Sequence, residues 1–491
     1  MRLANVSSLM RHQRDFQHRM KNTHLQPATD VFAFRSRIDA PARDVFDWHT
    51  RPGVFERLVP PWEDVRVVLP APSIAEGTQA IISVPFGPFR REWMAEHRDV
   101  IPGEQFRDIQ VRGPFARWEH THRVEPDGPS ACHLEDRIEY ALPGGRLGRL
   151  FGGGFAREQL QRMFRYRHAV TSADVPAHAR TPREACHMNV LISGSTGLVG
   201  SALIPFLTSG GHEVIRLLRV KGSSTLQSSS KEAVYWDPDG GRINPGDLEG
   251  LDAVVHLAGD PIASGHWTAA KKARIRDSRV VGTRLLCEAL AKCDRPPQVL
   301  VSASAIGFYG DRGDEVLTES SPAGIGFLAD VCREWEDATQ LAASKGIRTV
   351  TLRTGVVLSP AGGALAKMLP PFKMGVGGVL GSGRQYMSWI SIDDLIGAIH
   401  HSLINSSVSG PVNGTAPSPV TNREFTKTLG RVLHRLTIFP MPAFAARLAF
   451  GEMADELLLS GQRVQPLRLL NGGYSFRHSD LETALRHVLG R

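Results

Sequence analysis

The sequence predicts an α/β protein: a doubly wound, parallel sheet preceded by an α+β domain. Three observations carry this. MNVLISGSTGLVGSALIPFLTSGGHEVIRLLR at 188–219 reads as strand, glycine turn, helix and second strand. Beyond it, short apolar runs alternate with helical stretches as far as Leu352, the pattern of strands joined by crossover helices. Ahead of it, residues 30–175 carry many short strand-like runs divided by Gly and Pro and closed by one helix.

The first observation also predicts a ligand. Asn189 to Ser193 is an apolar run suited to a strand buried on both faces. It enters Gly194, Ser195, Thr196, Gly197, Leu198, Val199 and Gly200. Gly194 permits the turn out of the strand, Gly197 lets a pyrophosphate approach the backbone, and Gly200 lets the following helix pack closely. The free N–H groups and dipole at the helix start then face the phosphates. Three glycines alone are a weak signal; the preceding strand and following helix supply the context that the motif needs. The second strand ends in Leu218 and Arg219, with Lys221 beyond. An acidic residue here would bind the ribose 2′-hydroxyl of NAD, whereas Arg suits the 2′-phosphate of NADP, so NADP is expected.

A chain of 491 residues calls for two or three domains. Its composition, 42% hydrophobic and 22% charged, is globular, and no apolar run is long enough to span a membrane. The first residues lack the apolar core of a secretory signal and read as a disordered start. Five scattered cysteines without metal-ligand spacing fit a reducing cytoplasm and no structural zinc. The net charge of +8 is dispersed, with no aromatic-interleaved basic stripe, so nucleic acid is not an expected partner.

Taken in order, Val31–Ile38 reads as a strand and Ala42–Thr50 as a short helix. Strands are expected over 64–69, 79–84, 91–100, 105–111, 116–124 and 131–141, then a helix over 155–171. This order resembles the START-like or polyketide-cyclase superfamily, whose helix-grip fold wraps a curved sheet around its last helix. The resemblance implies an apolar cavity and a hydrophobic ligand. His120 and His122 share one strand face, but two histidines without a third ligand make no metal case. The expected division is 1–29 disordered, 30–175 helix-grip, 176–187 linker, 188–415 Rossmann-type with its substrate region, and 416–491 a C-terminal module.

From Met188 onward the chain resembles the extended or atypical short-chain dehydrogenase/reductase superfamily, in its epimerase-like branch. The matching stretches are GSTGLVG at 194–200, DAVVHLAG at 252–259, KKARIRDSRVVGTRLL at 271–286, VSASAIGFYG at 301–310 and RTGVVLSPAGGAL at 353–365. GSGRQYMSWISIDDL at 381–395 is similar to the segment that closes over the substrate, and 451–476 to the branch's extra module. By resemblance, Leu218, Arg219, Leu257, Ala258, Arg279, Arg284 and Val356 surround NADP. The superfamily's Ser is matched by Ser302 or, by preference, Ser304. Its Tyr-x-x-x-Lys pair falls on Leu328 and Cys332, neither of which moves a proton as Tyr and Lys do. Tyr309 is the nearest phenol. Three readings follow: an NADP-dependent oxidoreductase or epimerase of unknown small-molecule substrate with an altered proton donor, a non-catalytic NADP-binding sensor, and an assembly factor.

Overall fold

The computed structural model describes residues 29–182, 185, 187–220 and 229–491. The expected disordered start before Thr29, Lys221 and Cys186 lie outside the described residues. The chain divides into two compact units. One holds the described residues up to Arg37 with Val65–Glu125 and His133–Phe164; the other holds Ile38–Asp64, Pro126–Cys132 and Arg165–Arg491.

In the first unit, β1 (Asp30–Ile38), β2 (Arg66–Leu69), β3 (Gln79–Phe86), β4 (Phe89–Ile101), β5 (Gln105–Arg112), β6 (Arg117–Pro126) and β7 (Cys132–Ala141) form one sheet in the order β1-β7-β6-β5-β4-β3-β2. Alternate residues of β6 and β7 are buried, the signature of a sheet with one covered face. Phe32, Trp118, Ile138 and Tyr140 on that face pack against Leu160 and Phe164 of the helix α3 (Gly145–Ala179). The alternation continues from Trp118 into His120 and His122, so the covered face is not wholly apolar.

The second unit contains α1 (Ala42–His49) and α2 (Val54–Leu58), the later part of α3, and the parallel sheet. α3 corrects the linker reading. It runs through Pro176 to Ala179, past the expected end at Thr171. Proline inside a helix costs about 3 kcal/mol, but Val170, Thr171, Asp174 and Val175 are buried here, and their packing outweighs the local preference.

The sheet is built from β8 (Asn189–Ser193), β9 (Glu213–Arg219), β10 (Ala233–Asp237), β11 (Arg242–Ile243), β12 (Ala253–His256), β13 (Val299–Ala305), β14 (Arg348–Thr354) and β15 (Gly410–Gly414). Their order is β11-β10-β9-β8-β12-β13-β14-β15, parallel except at the short edge strand β11. The order reverses between β8 and β12, and in a doubly wound sheet ligands bind at that switch point, beyond the strand ends. Val190, Leu191 and Ile192 are fully buried on β8, each contributing roughly 1.5–3 kcal/mol. The crossover helices are α4 (Leu198–Ser209), α5 (Ala269–Leu290) and α6 (Phe327–Asp337), and the helix expected over 325–343 is broken between α6 and α7 (Gln340–Ser344). α8 (Ile392–Ile404) follows.

An ionic network lies wholly inside this unit. Arg57 of α2 is 2.6 Å from Asp174 of α3 and 2.6 Å from Asp393 of α8. Arg477 is 2.7 Å from Asp174, and His487 is 2.9 Å from Asp393.

Candidate functional site

The glycine turn sits at the switch point. Gly194 has φ +66°, and a Cβ on it would stand 2.8 Å from the carbonyl of Leu257, so glycine is needed both for the backbone angle and for the approach of the β12 loop. A Cβ on Gly200 would meet Gly194 O at 2.4 Å. α4 therefore starts directly against the turn, with Gly197 at its N-cap and no side chain satisfying its first N–H groups. Ser193 Oγ is 2.7 Å from His256 Nδ1 and accepts from Leu257 N at 3.0 Å and Ala258 N at 3.2 Å, tying the β8 and β12 ends together.

The structure thus brings Gly194, Thr196, Gly197, Leu198, Val199, Gly200, Leu257 and Ala258 to one place. Leu198 also lies against Gly362 and Gly363, where an added Cβ would be 3.3 and 3.2 Å from its side chain. That contact draws the segment after Val356 onto the turn. Val356 itself donates its N–H to Ser388 O at 2.8 Å. Leu218 and Arg219 end β9, next to β8, with Arg219 exposed and ion-paired to Asp239. Arg279 reaches the loop after β12, donating to Asp260 O at 3.1 Å, with its guanidinium 5.2 Å from the Trp335 ring. Arg284 stands exposed further along α5, and the structure does not bring it to the turn. Sequence reasoning passed over Lys271, whose buried ammonium pairs with Asp260 and donates to Pro261 O at 2.7 Å, pinning that same loop.

The expected proton-transfer residues are joined differently from the superfamily's pattern. Ser304 donates to Glu336 at 2.7 Å. Glu336 receives both arms of Arg353 at 2.8 and 2.7 Å, and Arg353 Nη1 donates to the Tyr309 hydroxyl at 3.0 Å. That hydroxyl lies 2.7 Å from Asn413 Oδ1 and 3.0 Å from Thr318 O. Tyr309 is fully buried, which raises its pKa and holds the phenol neutral. Its neighbours already satisfy it, so Tyr309, the nearest candidate for the proton donor, stands in this structure as a buried, hydrogen-bonded residue. Leu328 and Cys332 are buried on α6, and burial pushes the Cys332 thiol up to about 12, far from a reactive thiolate.

Beside this network is a cleft of about 310 Å³ lined by Gly307, Gly310, Asp311, Ile325, Leu328, Arg447, Asp455, Glu456, Leu459, Ser460 and Gln462. Neither Ser304 nor Tyr309 is in that lining. The C-terminal module supplies most of its polar groups. Glu456 accepts from Phe327 N at 3.3 Å and Leu328 N at 3.4 Å, capping α6 at the positive end of its dipole. Arg447 pairs with Asp455 at 2.9 Å, and Gln462 donates to Gly310 O at 3.0 Å. Arg447, Asp455, Glu456 and Gln462 did not stand out in the sequence, because no local spacing marks them; strand and helix packing assembles them.

A glycine turn at the switch point of a doubly wound sheet defines the dinucleotide-binding class of α/β proteins. Comparison with known proteins agrees. The NAD dependent epimerase/dehydratase family matches residues 190–413, polyketide cyclase / dehydrase and lipid transport matches 38–165, and a domain of unknown function (DUF1731) matches 441–488. Epimerase family protein Mb2239 of Mycobacterium bovis is 46% identical over 302 residues, covering 62% of this chain and 98% of that one. The crystal structure described as a nucleoside-diphosphate sugar epimerase from Corynebacterium glutamicum is 34% identical with TM-score 0.75, covering 94% of this chain and 90% of that one. The human epimerase family protein SDR39U1, solved with NADPH, is 35% identical with TM-score 0.56, covering 61% of this chain and 99% of that one. The chain belongs to this epimerase family, with a polyketide-cyclase-like domain ahead of the shared part.

Proposed function

We propose that this protein binds NADP(H) at the glycine turn and carries out epimerase-like oxidoreduction on a small molecule held in the cleft between residues 307–328 and the C-terminal module. The observation that carries the cofactor is the turn itself, where Gly194 meets Leu257 beneath the free start of α4, with Arg219 at the adjacent strand end. The human relative's NADPH supports it. Bound there, the nicotinamide supplies hydride transfer. The residues of this chain hold the phosphates on backbone N–H groups and pair Arg219 with the 2′-phosphate in exchange for Asp239. Ser304 occupies the place of the superfamily's serine, and Tyr309 positions Arg353, which fixes Glu336 against Ser304. The front domain takes a hydrophobic ligand in this reading. Free thiols at Cys132, Cys287, Cys293 and Cys332 suit the cytoplasm. No described helix is long and apolar enough to cross a membrane.

The second reading, a sensor that holds NADP(H) without turnover, draws on Leu328 and Cys332 standing where Tyr and Lys are needed. Fluorescence titration of NADPH and NADH separates cofactor preference from turnover. Arg219→Ala weakens NADPH roughly tenfold or more and leaves NADH little changed, since one charge-assisted contact is lost. Equal losses for both cofactors, or tighter NADH binding by the parent protein, overturn the NADP assignment.

A further inference from the structure

We infer that Asp108, His120 and His122, on the covered face of the first unit's sheet, form a binding site for a first-row divalent transition cation, with zinc the best match. The reading of two histidines without a third ligand changes once β5, β6 and β7 are in register. Asp108 faces both histidines from the neighbouring strand, and one ligand atom from each of the three residues lies within 4.8 Å of the others.

The atoms are arranged as a metal centre arranges them. His120 Nε2 hydrogen-bonds Asp136 Oδ1 at 2.7 Å, and His122 Nδ1 lies 2.7 Å from the same buried carboxylate oxygen. The opposite nitrogens, His120 Nδ1 and His122 Nε2, then both face Asp108 Oδ2, at 3.9 and 3.2 Å. Tetrahedral bonds of about 2.0–2.2 Å place ligand atoms roughly 3.3–3.6 Å apart, and the two observed separations bracket that spacing. Asp136 has the role of the outer carboxylate that fixes the tautomer of a ligating histidine. His97 does the same for the acidic ligand: its Nε2 is 3.1 Å from Asp108 Oδ1, and its Nδ1 is 2.9 Å from Thr78 Oγ1.

Burial and charge fit as well. His120, His122 and Asp136 are almost wholly buried, while the Asp108 side chain keeps 24% of its surface, a route of entry for an ion. Two carboxylates and two histidines in this setting carry excess negative charge that a dication offsets. On binding, the proton held between His122 Nε2 and Asp108 Oδ2 leaves to solvent and the cation takes its place. Three protein ligands leave a tetrahedral ion one open position, as in hydrolytic rather than structural zinc sites. A second His/Asp grouping among the described residues, Asp393, His478 and His487, differs in kind. Arg57 already holds Asp393 at 2.6 Å, and its fixed positive charge repels a metal ion.

The test uses the full chain, stripped with a chelator and reloaded with Zn²⁺ or Co²⁺, with bound metal measured by mass spectrometry and the Co²⁺ visible spectrum recorded. The expected result is a single tightly held equivalent per chain and the intense d–d bands of a four- or five-coordinate cobalt site. His122→Ala and Asp108→Asn abolish retention, Asp136→Asn weakens it roughly 10–100-fold, and His487→Ala leaves it unchanged. Far-UV circular dichroism and urea unfolding of each variant report whether the chain is folded. Substoichiometric metal or a hexaaqua-like cobalt spectrum in the parent protein overturns the proposal without reference to any variant. So does undiminished retention in folded Asp108→Asn, or loss confined to His487→Ala.

Discussion

At the scale of single residues, Tyr309 shows how burial decides a role. Its hydroxyl sits between Asn413, Thr318 and Arg353, with no surface left for a substrate. Tyr309→Phe deletes the hydroxyl and leaves the buried Arg353 and Asn413 short of a partner, a cost of about 1–3 kcal/mol. Urea unfolding monitored beside NADPH binding therefore shows an earlier midpoint with unchanged cofactor affinity in the folded protein. An unchanged midpoint together with lost turnover would restore Tyr309 as the proton donor. Tyr309 lies in the turn that follows β13, but its hydrogen bonding depends on Asn413, and 104 residues separate the two. No reading of local spacing reaches that far. Gly194 is the opposite case. Its role was legible because strand, turn and helix are contiguous, so the pattern and the geometry come from the same few residues.

At the scale of elements, the helix ends meet in a histidine-rich junction inside the second unit. His178 of α3, His212 before β9 and His400 of α8 are mutually close, with ring centroids 5.7 Å apart for His178 and His400 and 5.5 Å for His212 and His400. Asp174, Arg477 and Arg51 face His178, and His401 and Arg477 face His400. Burial drives all three below the ordinary value, His178 to about 3 and His212 to about 4. A depressed folded-state pKa means that the unfolded chain binds protons first as pH falls. The stability these histidines lend is complete above about 6.5 and is lost as pH drops through 4 toward 3. Melting temperature measured from pH 7 to 4 should fall, and His178→Phe should flatten that acid limb. An identical limb in the variant counts against it. The strands of the first unit were legible to within a few residues, because period-two burial is written in consecutive positions. Pro176 misled for the converse reason: a local breaker is overruled by burial contributed from α2 and α8.

At the scale of the whole molecule, the ionic network of the second unit sets what can be cut. A front domain ending near residue 172 looks separable in sequence. Yet Arg57 belongs to the second unit, and its partners Asp174 and Asp393 lie beyond such a cut. Leaving a buried cation unpaired costs about 3–5 kcal/mol. A fragment of residues 29–172 is therefore expected to melt without cooperativity, and Asp174→Ala in the full chain to unfold at markedly lower urea. A soluble fragment with a sharp calorimetric transition would show that residues 38–64 fold with the first sheet after all.

The carboxylate that starts α6 has a consequence in time. Glu456 comes 129 residues after the Phe327 amide that it accepts from, and Gln462 lies further still. A ribosome making this chain has released the glycine turn and the strands around it while the codon for Glu456 is still ahead. Translation thus delivers the nucleotide-binding half first and the cleft wall last. A nascent chain, or one that stalls short of its tail, is equipped to hold a dinucleotide before it has anywhere to put a substrate.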